Sequence, residues 1–195
     1  MALVMGRQAA VFLIWILSVW NRLPFSVGED SAILVSVDKD TFNYGGIYFY
    51  MGDGSSVTKT SPYNFTRVRL TDIEINSMDA NVADGSIYIF DFTSRCIYGF
   101  RSGIIANIHC GISSSVFTSI AYDWVSENIY WTDGFFNWIA VQPVDTTDRS
   151  MYRVIIQDDI EKPRALAMDS KAGYIFWFDI PTSGYRIERA LMDGT

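Results

Sequence analysis

Hydrophobic and polar positions alternate over short runs along residues 31–195, and one run recurs three times. The stretches SIYIFD (86–91), NIYWTD (128–133) and YIFWFD (174–179) each contain isoleucine, an aromatic residue, two further residues and a final aspartate. Their final aspartates lie 42 and 46 residues apart. Because short runs rich in aromatic and β-branched residues are typical of strands, the pattern predicts a repeated β-structure.

Two further landmarks follow the same period. One aspartate precedes each run, at Asp79, Asp123 and Asp169, with spacings of 44 and 46 residues. An isoleucine begins the strand-like run that comes next in each repeat, and these positions are Ile47, Ile97, Ile139 and Ile187. Each repeat therefore divides into four short pieces, which in the clearest copy are TSIAYDW, NIYWTDG, NWIAVQPVD and MYRVIIQ.

A period of about 40 to 50 residues with four strands per repeat is typical of β-propeller blades. A helical array of similar period would need amphipathic spacing over ten or more residues, and residues 31–195 show none. The fold class predicted is therefore all-β.

The best-preserved part of the chain, residues 117–195, resembles a known family. The segments YWTD, KPRALAMD and RIERALMDGT match the YWTD, or class B, repeats of the low-density lipoprotein receptor and its related proteins in order and spacing. The resemblance implies that tyrosine, threonine and aspartate of the motif hydrogen-bond within and between blades, with Trp131 and Trp177 filling the space between them. The motif positions are Tyr88, Asp91, Tyr130, Trp131, Thr132, Asp133, Phe176, Trp177 and Asp179.

Propellers of this family have six blades, which at about 43 residues each need roughly 260 residues. About 167 residues follow position 28. We therefore expect residues 29–195 to form three and a half to four blades of an incomplete propeller.

The N-terminal segment differs from the rest. Arg7 precedes an uncharged apolar run from Ala9 to Trp20, which suits a secretory signal and is shorter than the roughly 20 residues that cross a bilayer. We interpret residues 1–28 as a signal peptide; an uncleaved signal anchor and a buried helix are the alternatives. Its removal would take away two arginines and change the net charge from -7 to -9.

Two further features fit export. Cys96 and Cys110 are the two cysteines of the chain, and an oxidising compartment favours a disulfide between them over two buried thiols. Asn64 lies in an NFT sequon among turn-forming residues, so we expect it to carry a glycan.

Catalytic and cofactor chemistry is not indicated. Net negative charge argues against nucleic acid, which needs clustered cations, and His109 lacks the companions of a metal site. The aspartates of the repeats belong to different blades, so we assign them structural roles and predict no catalytic, cofactor-binding or metal-binding residue. DDIE (158–161) is interpreted as a solvated acidic loop that could help bind a basic ligand, and FFNWIAVQPV (135–144) as core or rim packing.

The resemblance favours an extracellular ligand-binding module of a low-density lipoprotein receptor-related receptor, of the endocytic or Wnt co-receptor type. A nidogen-like matrix adaptor and a six-bladed propeller hydrolase are the alternatives. We expect no enzyme and no cofactor, but a secreted or cell-surface product that binds an extracellular, basic protein ligand at residues still unknown. Attachment to a membrane would need segments that this chain does not contain.

Overall fold

The computed structural model describes residues 31–37, 46–52, 57–59, 75–81, 84–101, 104–113, 118–146, 148 and 150–195. The predicted signal peptide and Asn64 lie outside these residues. The described part of the chain consists of strands and turns, and the chain divides into two compact units between Asp72 and Ile73. Within the described residues, no helix is long and apolar enough to cross a membrane.

The N-terminal unit contains one antiparallel sheet with the order β1-β2-β3. Its strands are β1 (Ser31–Val37), β2 (Gly46–Gly52) and β3 (Val57–Lys59). We call it the first sheet. β1 and β2 pair along their full length.

The C-terminal unit contains three antiparallel sheets in which each strand pairs with the next in sequence. The second sheet contains β4 (Ile75–Asn81), β5 (Ser86–Asp91), β6 (Cys96–Arg101) and β7 (Ile104–Cys110). The third sheet contains β8 (Ile120–Asp123), β9 (Asn128–Asp133), β10 (Trp138–Pro143) and β11 (Arg153–Ile156). The fourth sheet contains β12 (Arg164–Asp169), β13 (Tyr174–Asp179) and β14 (Arg186–Leu191).

These three sheets pack side by side like blades, with their first strands next to one another and β8 between β4 and β12. Two apolar clusters fill the spaces. We call the contact between the second and third sheets the aromatic joint, whose buried members are Tyr88, Phe90, Ile97, Ile108, Ile112, Ile120, Tyr122, Ile129, Trp131 and Ala140. The contact between the third and fourth sheets is the aliphatic joint, whose buried members are Ala121, Tyr130, Ile139, Ile156, Ile160, Leu166, Ile175 and Trp177.

Tight turns connect the strands. In several of them, the aspartate at the end of the preceding strand accepts hydrogen bonds from the backbone of the turn. The Asp91 carboxylate accepts hydrogen bonds from the backbone N–H groups of Thr93 and Ser94, at 3.1 and 3.0 Å. Asp123 and Asp133 accept bonds from the turns after β8 and β9 in the same way. A short carboxylate side chain can reach N–H groups two and three residues ahead, so the repeated aspartate shapes the hairpins.

The strand register confirms one landmark of the repeat and corrects another. Each landmark isoleucine is the second residue of its strand, in β2, β6, β10 and β14. The aspartate landmark, however, is displaced in the second sheet. Asp79 lies opposite Tyr88, and Ala121 lies opposite Tyr130, so Asp79 corresponds to Ala121, whereas Asn81 occupies the place of Asp123. The sequence carries a signal for this shift, because nine positions separate Asp79 from Tyr88, against seven from Asp123 to Tyr130 and seven from Asp169 to Phe176.

Candidate functional site: an aromatic turn face

The aspartates of the repeated motif connect neighbouring sheets as well as shaping turns. One Asp133 oxygen accepts the N–H of Ser113 at 2.9 Å, from the segment between the second and third sheets. Asp179 accepts the N–H of Glu161 at 2.9 Å, from the segment between the third and fourth sheets. Both aspartates are fully buried. Their oxygens are therefore engaged in the framework and do not converge on a substrate.

The motif tryptophans occupy the joints. Trp131 is fully buried in the aromatic joint, and Trp177 is buried in the aliphatic joint. Tyr88 and Tyr130 are buried on the side of their sheets that faces the next sheet along the chain, whereas Phe176, which corresponds to them, is only partly buried. The side chain of Thr132 accepts the N–H of Ser119 at 2.9 Å.

A recurring serine, which the sequence reading missed, also connects the sheets. The Ser77 hydroxyl accepts the N–H of Ile120 at 3.0 Å, and the Ser119 hydroxyl accepts the N–H of Leu166 at 3.0 Å. Ser77 lies opposite Phe90 in β5. Ser119 bonds to Thr132, and Thr132 is the residue of β9 that corresponds to Phe90. The two serines therefore make the same bond at two successive joints. Their spacing of 42 residues was a signal, but serine is too common to stand out.

Asp79 adds a further bond that only the aromatic joint possesses among the described residues. Its carboxylate accepts the N–H of Tyr122 at 2.7 Å and that of Ala80 at 2.8 Å. Burial raises the pKa of Asp79 to about 6, although these two hydrogen bonds oppose the shift. Alanine occupies the corresponding positions in the next two sheets, at Ala121 and Ala167, so neither can make this contact.

His109 takes part in a buried polar contact of the aromatic joint. The Gln142 amide donates to the carbonyl oxygen of Ile108 at 2.8 Å, and its Oε1 lies 3.1 Å from Nδ1 of His109. The imidazole ring lies 4.6 Å from the Trp131 ring centroid. No group of three or more metal-ligating side chains occurs among the described residues. His109 thus has a structural environment in this joint.

Cys96 and Cys110 lie directly opposite each other in the outer two strands of the second sheet, β6 and β7. A disulfide joins them in the structure. It closes the hairpin that β6 and β7 form, so the outer edge of this sheet is tied covalently.

The exposed aromatic residues are concentrated where β9 turns into β10. Phe135 and Phe136 are 71% and 56% exposed, and their rings meet edge to face at 5.0 Å. This stretch was interpreted as core or rim packing. Ile139 is fully buried in β10, whereas Phe135 and Phe136 are exposed in the turn before it, where Phe136 stacks on Trp138 at 6.2 Å. Gly134 and Asn137 flank them, and Asn137 has a positive φ of 58°. These flanking turn formers were the signal for exposure.

Two other segments join this turn to form one surface. The N–H of Lys162 donates to the Asn137 side chain at 2.8 Å, and the N–H of Thr182 donates to the Glu161 carboxylate at 3.2 Å. Tyr185, 77% exposed, follows in the turn before β14. We call this surface the turn face, and it comprises residues 134–137, 157–163 and 180–185.

The turn face carries charge as well as aromatic area. Asp158 and Asp159 are exposed and Glu161 is partly exposed, as the interpretation of DDIE as a solvated loop requires. Arg186 binds the carbonyl oxygen of Asp159 at 2.6 Å and pairs with Asp179 at 3.0 Å. The Arg186 guanidinium is therefore occupied at the base of the surface, while Asp158 and Asp159 are exposed on it.

Such a surface can bind but offers no evident chemistry. Rigid aromatic side chains that remain exposed beside polar groups are typical anchors of protein interfaces. Hydrogen bonds between the three segments of the turn face hold their backbones in place, so a partner would meet a preformed surface.

The chain is similar over part of its length to a known receptor-related protein. The low-density lipoprotein receptor-related protein 5 of Mus musculus is 34% identical over 108 residues, which cover 53% of this chain and 6% of the relative. The chain thus spans a small part of that protein's length. No protein-family model matches the chain.

Solved structures share the fold. The nidogen of a nidogen/laminin complex superposes with a TM-score of 0.67 and 20% identity, covering 86% of this chain and 59% of that one. A regucalcin from Agrobacterium tumefaciens, described as a calcium-binding protein, gives a TM-score of 0.55 with 16% identity over 86% of this chain and 55% of its own. A puromycin-hydrolyzing peptidase of Mycobacterium tuberculosis gives 0.52 with 12% identity over 93% of this chain and 29% of its own.

These similarities confirm two inferences from the sequence. The chain carries YWTD-type repeats similar to those of low-density lipoprotein receptor-related proteins, and it adopts the fold of a partial β-propeller. Because the structural neighbours are below 25% identity, they establish the fold only.

Proposed function

We propose that this chain is an extracellular ligand-binding propeller module of the low-density lipoprotein receptor-related type, and that the turn face binds a protein ligand without catalysing a reaction. The observation that carries the proposal is the pair of exposed, mutually packed rings of Phe135 and Phe136 on a hydrogen-bonded surface. The receptor-related relative supports the class of module. An endocytic or Wnt co-receptor role is the finer form of the same proposal.

Exposure of large aromatic side chains is costly in water, since each buries about 150–250 Å² when it is covered. The turn that carries Phe135 and Phe136 is fixed by Asp133, whose carboxylate accepts their backbone N–H groups at 2.9 and 3.3 Å. Removing them from water against a partner would therefore supply binding energy at little conformational cost.

The negative charge of the acidic loop indicates that the proposed ligand is basic. Asp158 and Asp159 are exposed on the turn face, and the chain carries a net charge of -7. Complementary charge speeds encounter with a basic partner, and added salt weakens that steering. We therefore propose a ligand with basic side chains around an apolar contact.

Secretion is part of the proposal. Cleavage after residue 28 and a glycan on Asn64 would both accompany passage through the secretory pathway. Amino-terminal sequencing of the released protein and a mobility shift on enzymatic deglycosylation test these two features separately from binding. A matrix role of the kind held by nidogen is the second candidate, because the nidogen structure superposes best of the three described above.

The chain offers a matched pair of variants for the binding test. Phe135→Ser with Phe136→Ser removes two consecutive exposed apolar residues from the turn after β9. Trp124→Ser with Val125→Ser removes two such residues, 52% and 56% exposed, from the turn after β8, at the opposite end of the third sheet. Both pairs lie in four-residue turns, so their effects on folding should be similar.

The wild-type chain and both double variants would be screened against an array of secreted and cell-surface ectodomains at two salt concentrations. We expect basic ectodomains to bind, with at least about tenfold loss in the Phe135/Phe136 variant and little change in the Trp124/Val125 variant. Equal binding by all three proteins would refute the turn face. Metal-dependent hydrolysis in a parallel substrate screen, without any ectodomain binding, would move the protein to the enzyme class.

A further inference from the structure

The disulfide of the second sheet lies where the chain leaves that sheet for the third. Cys96 and Cys110 form the last pair of the β6–β7 ladder, at the opposite end of the hairpin from the connection of β6 to β7. Beyond this pair, the N–H groups of Gly111 and Ile112 donate to the carbonyl oxygen of Arg95 at 3.2 and 3.4 Å. Backbone hydrogen bonds favour about 2.9–3.0 Å, so the disulfide is the strongest link at this end of the hairpin.

A short path leads from this disulfide to the turn face. Ser113 follows Cys110 by three residues, and its N–H donates to one oxygen of the Asp133 carboxylate at 2.9 Å. The other oxygen of that carboxylate accepts the N–H groups of Phe135 and Phe136, whose rings are exposed on the turn face. The position of Asp133, and with it the geometry of this turn, therefore depends on a segment that the disulfide anchors.

The corresponding contact at the aliphatic joint has no covalent anchor. Asp179 accepts the N–H of Glu161 at 2.9 Å, as Asp133 accepts that of Ser113. Both cysteines of the chain lie in the second sheet, so noncovalent contacts alone hold the segment that carries Glu161. A change in the disulfide should therefore act on one joint and leave the other as an internal reference.

One side of the disulfide is open to solvent. Cys110 is exposed, whereas Cys96 is only 6% exposed. Thiol–disulfide exchange begins when a thiolate attacks an accessible sulfur, and exposed disulfides are more readily reduced than buried structural ones. A reductant in solution can therefore reach the Cys110 sulfur in the folded chain.

We propose that the Cys96–Cys110 disulfide is a redox-sensitive regulator of the turn face, and that its reduction by a dithiol loosens the turn that carries Phe135 and Phe136. One thiolate of the dithiol attacks the Cys110 sulfur, the S–S bond breaks, and Cys96 leaves as a thiolate that is then protonated. The second thiolate of the dithiol attacks the reductant's own sulfur in the mixed disulfide, so that Cys110 leaves and is protonated in turn. Two electrons pass to the protein, and the dithiol becomes an intramolecular disulfide.

Reduction removes the covalent link but leaves the apolar contacts of the joint in place. Ile108 and Ile112, on either side of Cys110, are buried in the aromatic joint, so the second and third sheets should stay packed together. Terminal pairs of a ladder open more readily than central ones, so Ser113 should leave Asp133 for part of the time. A turn that has lost this support must be ordered again when a ligand binds, which lowers affinity. This last consequence rests on the binding role proposed above.

Amide hydrogen exchange, resolved by residue with nuclear magnetic resonance, tests the loosening without a ligand. The wild-type chain would be compared before and after treatment with dithiothreitol, with thiol labelling and mass spectrometry to verify reduction. Exchange of the Ser113, Phe135 and Phe136 amides should become at least about fivefold faster, because local opening sets the rate. Exchange of the Glu161 amide, which makes the same contact at the other joint, should not change.

The double variant Cys96→Ser with Cys110→Ser separates the disulfide from other effects of the reductant. It should show the faster exchange without dithiothreitol and should not respond to it. A disulfide that dithiothreitol leaves intact in the folded chain would overturn the proposal. So would unchanged exchange at Phe135 and Phe136 in the reduced wild-type chain, or an equal increase at Glu161, which would indicate general destabilisation.

The array of ectodomains described above then measures the effect on binding. Ectodomains that the Phe135/Phe136 variant fails to bind should bind the double cysteine variant at least about threefold more weakly than the wild-type chain, since the turn must be ordered on binding. Equal affinity for the two chains would refute redox control and leave the binding role of the turn face standing. If no ectodomain binds the wild-type chain, the binding role fails, and the exchange rates still decide whether the disulfide controls the turn.

Discussion

The aromatic joint and the aliphatic joint each connect two sheets that are formed by successive copies of the sequence repeat, but different side chains fill the two joints. In the aromatic joint the rings of Tyr88 and Tyr122 stack at 4.4 Å, and Trp131 packs against His109. The aliphatic joint is filled mainly by isoleucine and leucine, with Trp177 and Tyr130 as its buried aromatic residues. The repeat therefore preserves the shape of the space between sheets more closely than the residues that fill it.

Polar contacts differ more than the apolar ones. Both joints use a serine hydroxyl and a motif aspartate to accept backbone N–H groups from the neighbouring sheet or its connection. The aromatic joint adds Asp79 and Gln142. In the aliphatic joint the Tyr130 hydroxyl donates to the carbonyl oxygen of Met192 at 3.3 Å, and burial raises the pKa of Tyr130 to about 12. The hydrogen bonds that both joints share thus come from residues of the sequence repeat, whereas each additional bond belongs to one joint.

Loss of the buried tryptophan should produce the largest difference between the joints. Trp131→Ala empties a fully buried site and should lower the free energy of unfolding by about 3–5 kcal/mol. Trp177→Ala should cost less, because Trp177 is 6% exposed and its surroundings can relax towards solvent. Urea unfolding followed by circular dichroism measures both. An equal or larger loss for Trp177→Ala would contradict the distinction between the joints.

Asp79 should make the aromatic joint sensitive to pH. Its pKa is raised from 3.8 to about 6, so the folded chain holds the proton more tightly than the unfolded chain does. The resulting stability is fully present below pH 3.8 and is lost as the pH rises through about 6, by up to about 3 kcal/mol.

The stability of wild type minus that of Asp79→Asn isolates this effect from other titrating groups. We expect that difference to fall between about pH 4 and pH 7. Asp158→Asn removes an exposed acid of the same charge and serves as the control. A wild-type minus Asp79→Asn difference that stays constant with pH, or that rises with it, would be incompatible with the assigned shift.

Substitution of Asp133 tests whether the repeated aspartate is needed for folding rather than for binding or catalysis. Asp133→Asn removes the charge that accepts the Ser113 N–H and the two N–H groups of its own turn, so about 1.5–3 kcal/mol of stability should be lost. Secreted yield and thermal unfolding measure the effect, again with Asp158→Asn as the control for charge. Normal secretion combined with loss of an enzymatic reaction would show that the structural assignment is wrong.

The smallest effect concerns the two serines. Ser119→Ala and Ser77→Ala each remove one hydrogen bond to the next sheet, worth about 0.5–1.5 kcal/mol. Because the bond from Tyr122 to Asp79 supports the same joint as Ser77, we expect Ser119→Ala to be the more costly. Unfolding curves for the two variants and the double variant decide the order, and a larger loss for Ser77→Ala would contradict it.

Much of the framework could be predicted from the sequence, because strand periodicity and turn chemistry are local. The three motif runs form β5, β9 and β13 with the predicted limits. The two-residue shift of Asp79 relative to Asp123 has a signal in the sequence, the longer spacing from Asp79 to Tyr88, but only the strand register shows that Asn81 takes the place of Asp123. Phe135 and Phe136 were assigned to packing, because hydrophobicity alone does not report whether a neighbouring element covers a side chain.

The sequence by itself determined the repeat, the order of strands and the residues that close the turns. Those properties depend on alternation along a strand and on side chains that bond within a few residues. Only the tertiary structure decided which rings are buried in a joint, which remain exposed on the turn face, and which serine or aspartate bonds to the next sheet. These outcomes depend on contacts between residues about 20 to 47 positions apart, and such contacts exist only once the sheets have packed together.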